Sequence, residues 1–240
     1  MANQLKIGII AAMAQEIKIL KEVITEEHTE TILGFNFIKG TIHGVEVVLV
    51  ESGIGKVMAA MVATILIERF EVSALINTGS AGGVNAKLSV GDLVLSNRLV
   101  YSDVDVTGFN YDYGQLPQMP TYYTADDRLL ASFEAAGMIH DKQVHTGLIA
   151  TADSFINQPH LLNRILDHFP ETLATEMEGA AIAQVAHVTE TPCIVIRAIS
   201  DVAGKEETAT TFDQFIIEAG RRSAELVIEG LKNIQTNWSI

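Results

Sequence analysis

A chain of 240 residues with 30 acidic and 16 basic side chains carries a formal net charge of −14, which opposes binding to a phosphate backbone or an anionic membrane surface. Its hydrophobic content of 48% is enough to close a sizeable core and excludes a disordered chain. Cys193, the single cysteine, leaves no internal disulfide and lies in the apolar run TPCIVIRAIS, where an inert buried thiol is expected.

The chain opens on MANQLKIGIIAAMA, in which a short apolar run and Ala-Met-Ala imitate a cleavable leader. One lysine and a run near the lower length limit fit a first buried strand, LKIGIIAA, better. MAQEIKILKEVI follows with the three-to-four apolar spacing of a helix. GVEVVLVES reads as a strand ending near Glu51, and SGIGK leads from it into the helical IGKVMAAMVATILIERF. SALINTG and GDLVLSN read as strands, separated by the glycine-rich NTGSAGGV. ADDRLLASFEAAG (helix), HTGLIATAD (strand), EMEGAAIAQVAHV (helix), TPCIVIRAISD (strand) and FDQFIIEAGRRSAELVIEGLKN (helix) complete the series.

Strands apolar enough for burial on both faces, alternating with helices, predict an α/β fold with a mixed, mostly parallel sheet flanked by helices. No repeat, low-complexity stretch or Pro/Gly/Ser linker interrupts the pattern, so residues 1–240 are expected to form one domain. No apolar run approaches the roughly 18 residues of a membrane span. A cytoplasmic enzyme that engages neither membrane nor nucleic acid is the expectation.

Four motifs carry chemistry or imitate it. DVDVTG places Asp103, Asp105 and Gly108 like a calcium loop, but Gly114 stands where a bidentate Glu is needed. SGIGK lacks the upstream glycine and the hydroxyl residue after Lys56 that a phosphate loop requires, and reads as a strand-to-helix turn. NTGSAGGV brings bare backbone to a strand C-terminus, where ligands bind in open α/β sheets. The segment 101–124 holds Tyr101, Tyr111, Tyr113, Tyr122 and Tyr123 and suits a substrate loop or a subunit contact. The seven histidines show no metal-ligand spacing, and no GxSxG elbow marks Ser80 or Ser200 as a nucleophile. What remains is acids near strand ends: Glu16, Glu51, Asp153, Glu176, Glu178 and Asp201. Several such groups converging near a glycine loop suit acid/base work, although each alone is more often a helix cap or a paired structural carboxylate.

KIGIIAAM followed by Glu16, SGIGKV, INTGSAGG, DVDVTGFNYDYGQLP, ADSFIN, TEMEGAAIA and RAISDVA occur in this order over nearly the whole chain. Together they resemble the nucleoside phosphorylase and nucleosidase superfamily and, within it, the 5′-methylthioadenosine/S-adenosylhomocysteine nucleosidases. The resemblance implies a cofactor-independent hydrolysis of the N-glycosidic bond that releases adenine and the 5-thio-substituted ribose. By the same resemblance Glu16 is the base that activates water, with Ser80 and Arg197 nearby, and Asp201 is the acid that protonates adenine N7. Gly82 lies beside the nucleoside, the Ile156 backbone reads the adenine edge and Phe155 stacks on the base. Met177 and Glu178 meet the ribose, while Met13, Ile54 and Phe212 form an apolar pocket for the 5′-substituent. Phe109 and Pro117 look like residues donated to a neighbouring subunit, which implies a homodimer.

The pattern departs from the family in places. AAMAQE stands where GAMEEE is usual, so Ala11, Ala14 and Gln15 replace a glycine and two acids while Glu16 keeps its position. Thr175 and Gly179 fall where relatives often differ, and GKEETATTFDQF is about one residue longer than its counterpart, which bears on substrate preference and the fit of Phe212. Two alternatives stay open: a purine nucleoside phosphorylase, which needs a basic phosphate pocket, and a nucleoside-binding protein without catalysis, which would not need a positioned base. Nucleosidases acting on AMP or futalosine-type compounds are related possibilities.

Overall fold

KIGIIA forms β1 (Lys6–Ala11), buried at every residue after Lys6, as a strand with neighbours on both edges and helices on both faces must be. The computed structural model describes residues 5–138, 143–203 and 208–237, with side chains described except at 208–211 and 235–237. After β1 come α1 (Ala14–Val23), the strands β2 (Thr25–Ile32), β3 (Phe35–Ile42) and β4 (Val45–Glu51), α2 (Lys56–Phe70), β5 (Ala74–Gly83) and β6 (Leu93–Tyr101). The second half has β7 (Tyr123–Thr124), α3 (Asp127–Gly137), β8 (Val144–Thr151), α4 (Pro159–His168), β9 (Thr172–Glu176), α5 (Gly179–Val188), β10 (Cys193–Val202) and α6 (Thr208–Asn237).

All ten strands join one sheet, in the order β10-β6-β8-β9-β5-β1-β4-β3-β2 with β7 on β6, and β10 pairs back onto β5. Five strands, β5, β10, β6, β8 and β9, thus close on themselves, and β1, β4, β3 and β2 extend from β5 as an open wing. β1, β4, β5 and β10 run parallel at the centre. Helices α1, α3 and α6 bury Ile17, Leu20, Phe133 and Leu231 against one face, and α2 and α5 bury Val62, Leu66 and Ile182 against the other. The expected mixed α/β fold is therefore the observed one. Among the described residues no helix is long and apolar enough to cross a membrane.

Every strand and helix read from periodicity is present, and five further elements, β2, β3, β7, β9 and α4, lie outside that reading. β2, TEEHTETI, is an exposed edge strand whose charged residues carry no apolar alternation, and it pairs with β3 as a hairpin. α4 begins on Pro159 at its first turn, where a missing N–H costs nothing. β9 is only five residues long, so its period is too short to read.

Two irregularities in the sheet prepare the site. One edge of β5 pairs with β1 as far as Asn77 and with β9 only from Gly82, which leaves the backbone between them free. In β10 the register against β5 slips between Ile199 and Asp201, so Ser200 is an extra residue that re-aims the strand end.

Candidate active site

Glu16 sits in the first turn of α1 and fills the gap along β5. Its Oε1 accepts from the Ser80 N–H at 2.8 Å and the Ser80 hydroxyl at 2.9 Å, and its Oε2 accepts from the Ala12 and Met13 N–H groups, each at 3.1 Å. Four donors saturate a carboxylate. Burial still raises its pKa above the ordinary carboxylate value, against the lowering effect of the Arg197 charge and the Ser80 hydrogen bonds. Gly79 explains one glycine of NTGSAGGV: a Cβ there would lie 2.7 Å from Glu16 Oε1, so the carboxylate reaches β5 only because the residue has no side chain. Ser223 of α6 holds the same strand from behind by accepting from the Gly79 N–H at 3.1 Å.

Glu176 and Glu178 lie where β9 ends and α5 begins. The backbone is still extended at Glu176, so the two carboxylates share a face, and both reach Arg197. Glu176 accepts from the Arg197 guanidinium, the Thr151 hydroxyl, and the N–H groups of Glu178 (3.0 Å) and Gly179 (2.7 Å). It thereby caps α5 and holds Arg197. Glu178 accepts from the Gly55 N–H at 2.8 Å and stands 3.7 Å from the guanidinium. Burial first, and the neighbouring Glu176 second, push the Glu178 carboxyl up to about 7, against the pull of Arg197 and the Gly55 N–H.

Asp201 closes the site from β10. It is 1% exposed; its Oδ1 accepts from the Ser200 hydroxyl at 2.7 Å, while its Oδ2 is buried with no partner among the described residues. Burial raises its pKa, opposed by that one hydrogen bond. Gly82 keeps the space in front of it open, since a Cβ at that position would come within 3.1 Å of Oδ2. A buried, protonatable oxygen without a partner is set to donate to a ligand.

Eleven of the candidate residues of the sequence line one cavity of about 380 Å³: Met13, Glu16, Ile54, Ser80, Gly82, Phe155, Glu176, Met177, Glu178, Asp201 and Phe212. Phe212 stands edge-on to Phe155, ring centres 5.6 Å apart, so the longer segment before it still delivers the ring; residues 204–207 of that segment lie outside the described residues. Ile156 borders a small recess off the same cavity, next to Asp201 and Phe155. Arg197 lies beneath the cavity instead of lining it, bound to Asn77 and the two glutamates. Phe109 and Pro117 are exposed and do not line the cavity of a single chain. Glu51 is exposed and apart from the site, and Asp153 pairs with Lys56. Ser200, Thr175 and Asp213 also line the cavity, and Asn77 holds the arginine; nothing in the local sequence singled out Asp213 or Asn77.

Residues 6–232 match the family described as the phosphorylase superfamily. A 5′-methylthioadenosine/S-adenosylhomocysteine nucleosidase of Anoxybacillus flavithermus is 50% identical over 224 residues, 93% of this chain and 96% of the relative. One of Bacillus thuringiensis is 46% identical over 96% of this chain and 100% of the relative. Among solved structures, the nucleosidase of S. pneumoniae with a transition-state inhibitor superposes with a TM-score of 0.93 at 50% identity, covering 96% of this chain and 100% of that one. The nucleosidase of Colwellia psychrerythraea in complex with adenine gives 0.93 at 41% identity, covering 97% and 96%. This chain belongs to the phosphorylase superfamily and, within it, to the 5′-methylthioadenosine/S-adenosylhomocysteine nucleosidases.

Proposed function

We infer that the chain hydrolyses the N-glycosidic bond of 5′-methylthioadenosine and S-adenosylhomocysteine, releasing adenine and the 5-thio-substituted ribose. The observation that carries the assignment of roles is the unpartnered Asp201 Oδ2 in the cavity wall, in the same cavity as Glu16 and Glu178. Cleavage of such a bond puts positive charge on the sugar and negative charge on the departing base. Asp201, whose pKa burial raises, answers the second charge by giving its proton to adenine N7. Ionised Glu178 answers the first by accepting from the ribose hydroxyls, with Met177 against the sugar. Preorganised electrostatic contacts of this kind are worth roughly 3 to 4 kcal/mol each.

Water is the nucleophile and Glu16 its base. Of the four donors on Glu16, three are backbone amides, and the Ser80 hydroxyl is the one that can rotate to admit water. Arg197 supports this end from below: its charge favours the ionised forms of Glu16 and Glu178, and it pairs with Glu176. Phosphate is disfavoured as the nucleophile because the cavity lining has no basic side chain among the described residues and contains Glu16, Glu176, Glu178, Asp201 and Asp213. Apolar Met13, Ile54 and Phe212 suit a thioether at the 5′ position and disfavour the 5′-phosphate of AMP. Phe155 stacks on the adenine, the Ile156 backbone reads its edge, and Gly82 lets it approach Asp201. No cofactor enters these steps.

Residues 1–240 act as one domain in this reading, and the compartment is the cytoplasm. The active form is a homodimer. From Val57 to Ile67 every residue of α2 except Thr64 is apolar: the helix buries Ala59, Val62 and Leu66, yet Val57 is 71% exposed and Met58 and Met61 are 38% exposed, while Phe109 is 78% exposed. A helix apolar all round is made for burial on both sides. Phe109 and Pro117 then reach the partner's 5′ pocket. Purified chain incubated with 5′-methylthioadenosine and with S-adenosylhomocysteine should release adenine from both, and release from neither would refute the assignment.

A further inference from the structure

Three loops meet beside the cavity around one ion-pair cluster that the reaction itself does not use. Lys56 Nζ lies 2.9 Å and 2.8 Å from the two Asp103 carboxylate oxygens and 3.6 Å from Asp153 Oδ2. The Lys56 backbone N–H donates to Asp153 Oδ1 at 2.9 Å, and the Asp153 N–H donates to Asp103 Oδ2 at 2.9 Å. Asp103 begins the aromatic loop after β6, Lys56 is the first residue of α2, and Asp153 follows β8, two residues before Phe155. Each side chain therefore belongs to a different element, and the cluster ties all three together.

Gly55 stands between the cluster and the ribose end of the site. Its N–H donates to Glu178 Oε1, while the next residue is gripped by both aspartates. Its φ of 101° is a conformation that side-chain-bearing residues rarely adopt. Gly55, the residue before α2, makes no side-chain cap, so the start of the helix depends on Asp153 for a partner to the Lys56 N–H.

We propose that Asp103 is a positioning residue: through Lys56 and Asp153 it sets where the Gly55 N–H meets Glu178. The proposal rests on the reading that ionised Glu178 meets the ribose. The charged groups facing Glu178 are Arg197 from β10, Glu176 from β9 and Glu16 from α1. None of those three touches the cluster, so releasing it removes the Gly55 N–H alone from Glu178. That N–H favours the ionised carboxylate.

The test is the pH profile of kcat/KM for adenine release by Asp103→Asn, Lys56→Met and the double variant. A charge-assisted hydrogen bond of ordinary strength predicts that the acidic limb moves up by about one pH unit in each. Below the limb the loss is about tenfold, and on the alkaline side under about twofold. The double variant moves no further than either single one, and Lys56→Arg, which keeps the cation, restores most of the profile. An unmoved limb, an equal loss at every pH, or additive shifts in the double variant would overturn the proposal. Adenine release by the unaltered chain with any of those results defeats the proposal alone; no release by the unaltered chain defeats the functional reading and the proposal with it.

Discussion

Asp201→Asn separates the proton from the shape of the side chain. An amide fits the same space, and its oxygen can still accept from the Ser200 hydroxyl as Oδ1 does at 2.7 Å. Its nitrogen can donate a hydrogen bond to adenine but cannot transfer a proton to it. General acid catalysis is worth about 10²- to 10⁴-fold, so kcat should fall by that factor, roughly 3 to 5 kcal/mol, with KM nearly unchanged. The stability of the variant should move the other way. Asp201 has a folded-state pKa above its unfolded value, so its ionisation destabilises the fold as pH rises through that folded value and is without effect below the unfolded one. Asparagine escapes this cost, and the variant should melt at or above the unaltered chain at alkaline pH and at the same temperature in acid. Adenine release followed by absorbance, with thermal melts at both pH values, measures the two effects. A kcat within about threefold of the unaltered chain would refute the role of the acid, and a lower melting temperature at alkaline pH would refute the reading of its burial.

Glu16→Gln should lose hydrolysis by a similar factor while retaining substrate binding, and unaltered turnover in that variant would remove Glu16 as base. Gly79→Ala places a methyl group where Glu16 Oε1 now lies 2.7 Å away, so it should lower kcat well beyond its effect on the melt; a crystal structure of the variant with Glu16 in place would contradict this. Arg197→Met leaves Glu176 and Glu178 buried without their cation and should cost about 3 to 5 kcal/mol, read by denaturant unfolding, and an unchanged midpoint would refute the pairing as structural. Met61→Glu puts a charge on the exposed apolar face of α2; sedimentation should show monomers with reduced activity, and fully active monomers would sink the shared site.

What could be read in the sequence is what is local in the chain. Glycines at 79 and 82 stand within a few residues of a strand end, Glu16 follows β1 at the same distance, and Asp201 lies near the end of an apolar strand. Such residues advertise a site because bare backbone and unpaired acids are costly unless something uses them. The supports of the site have no such signature. Glu176 and Arg197 are 21 residues apart, Asn77 and Arg197 are 120 apart, and Lys56 and Asp153 are 97 apart, so their pairing exists only once the sheet order is set. The order itself is equally hidden: periodicity marks β5 and β10 as buried strands but does not say that β5 leaves β1 at Asn77 and gains β9 at Gly82. The bulge at Ser200 is one residue long and leaves the apolar pattern of its strand intact. Ser200 was therefore legible only as a serine beside an acid.

The choice of nucleophile is decided most directly by the sugar product. 5′-Methylthioadenosine is incubated with the purified chain with and without inorganic phosphate, and the sugar is identified by mass spectrometry. Free 5-methylthioribose beside adenine, at a rate independent of phosphate, is the predicted result. Methylthioribose 1-phosphate formed only when phosphate is present would contradict the account, because an acid-lined cavity without a basic side chain among its described residues would then have bound the phosphate it is argued to exclude.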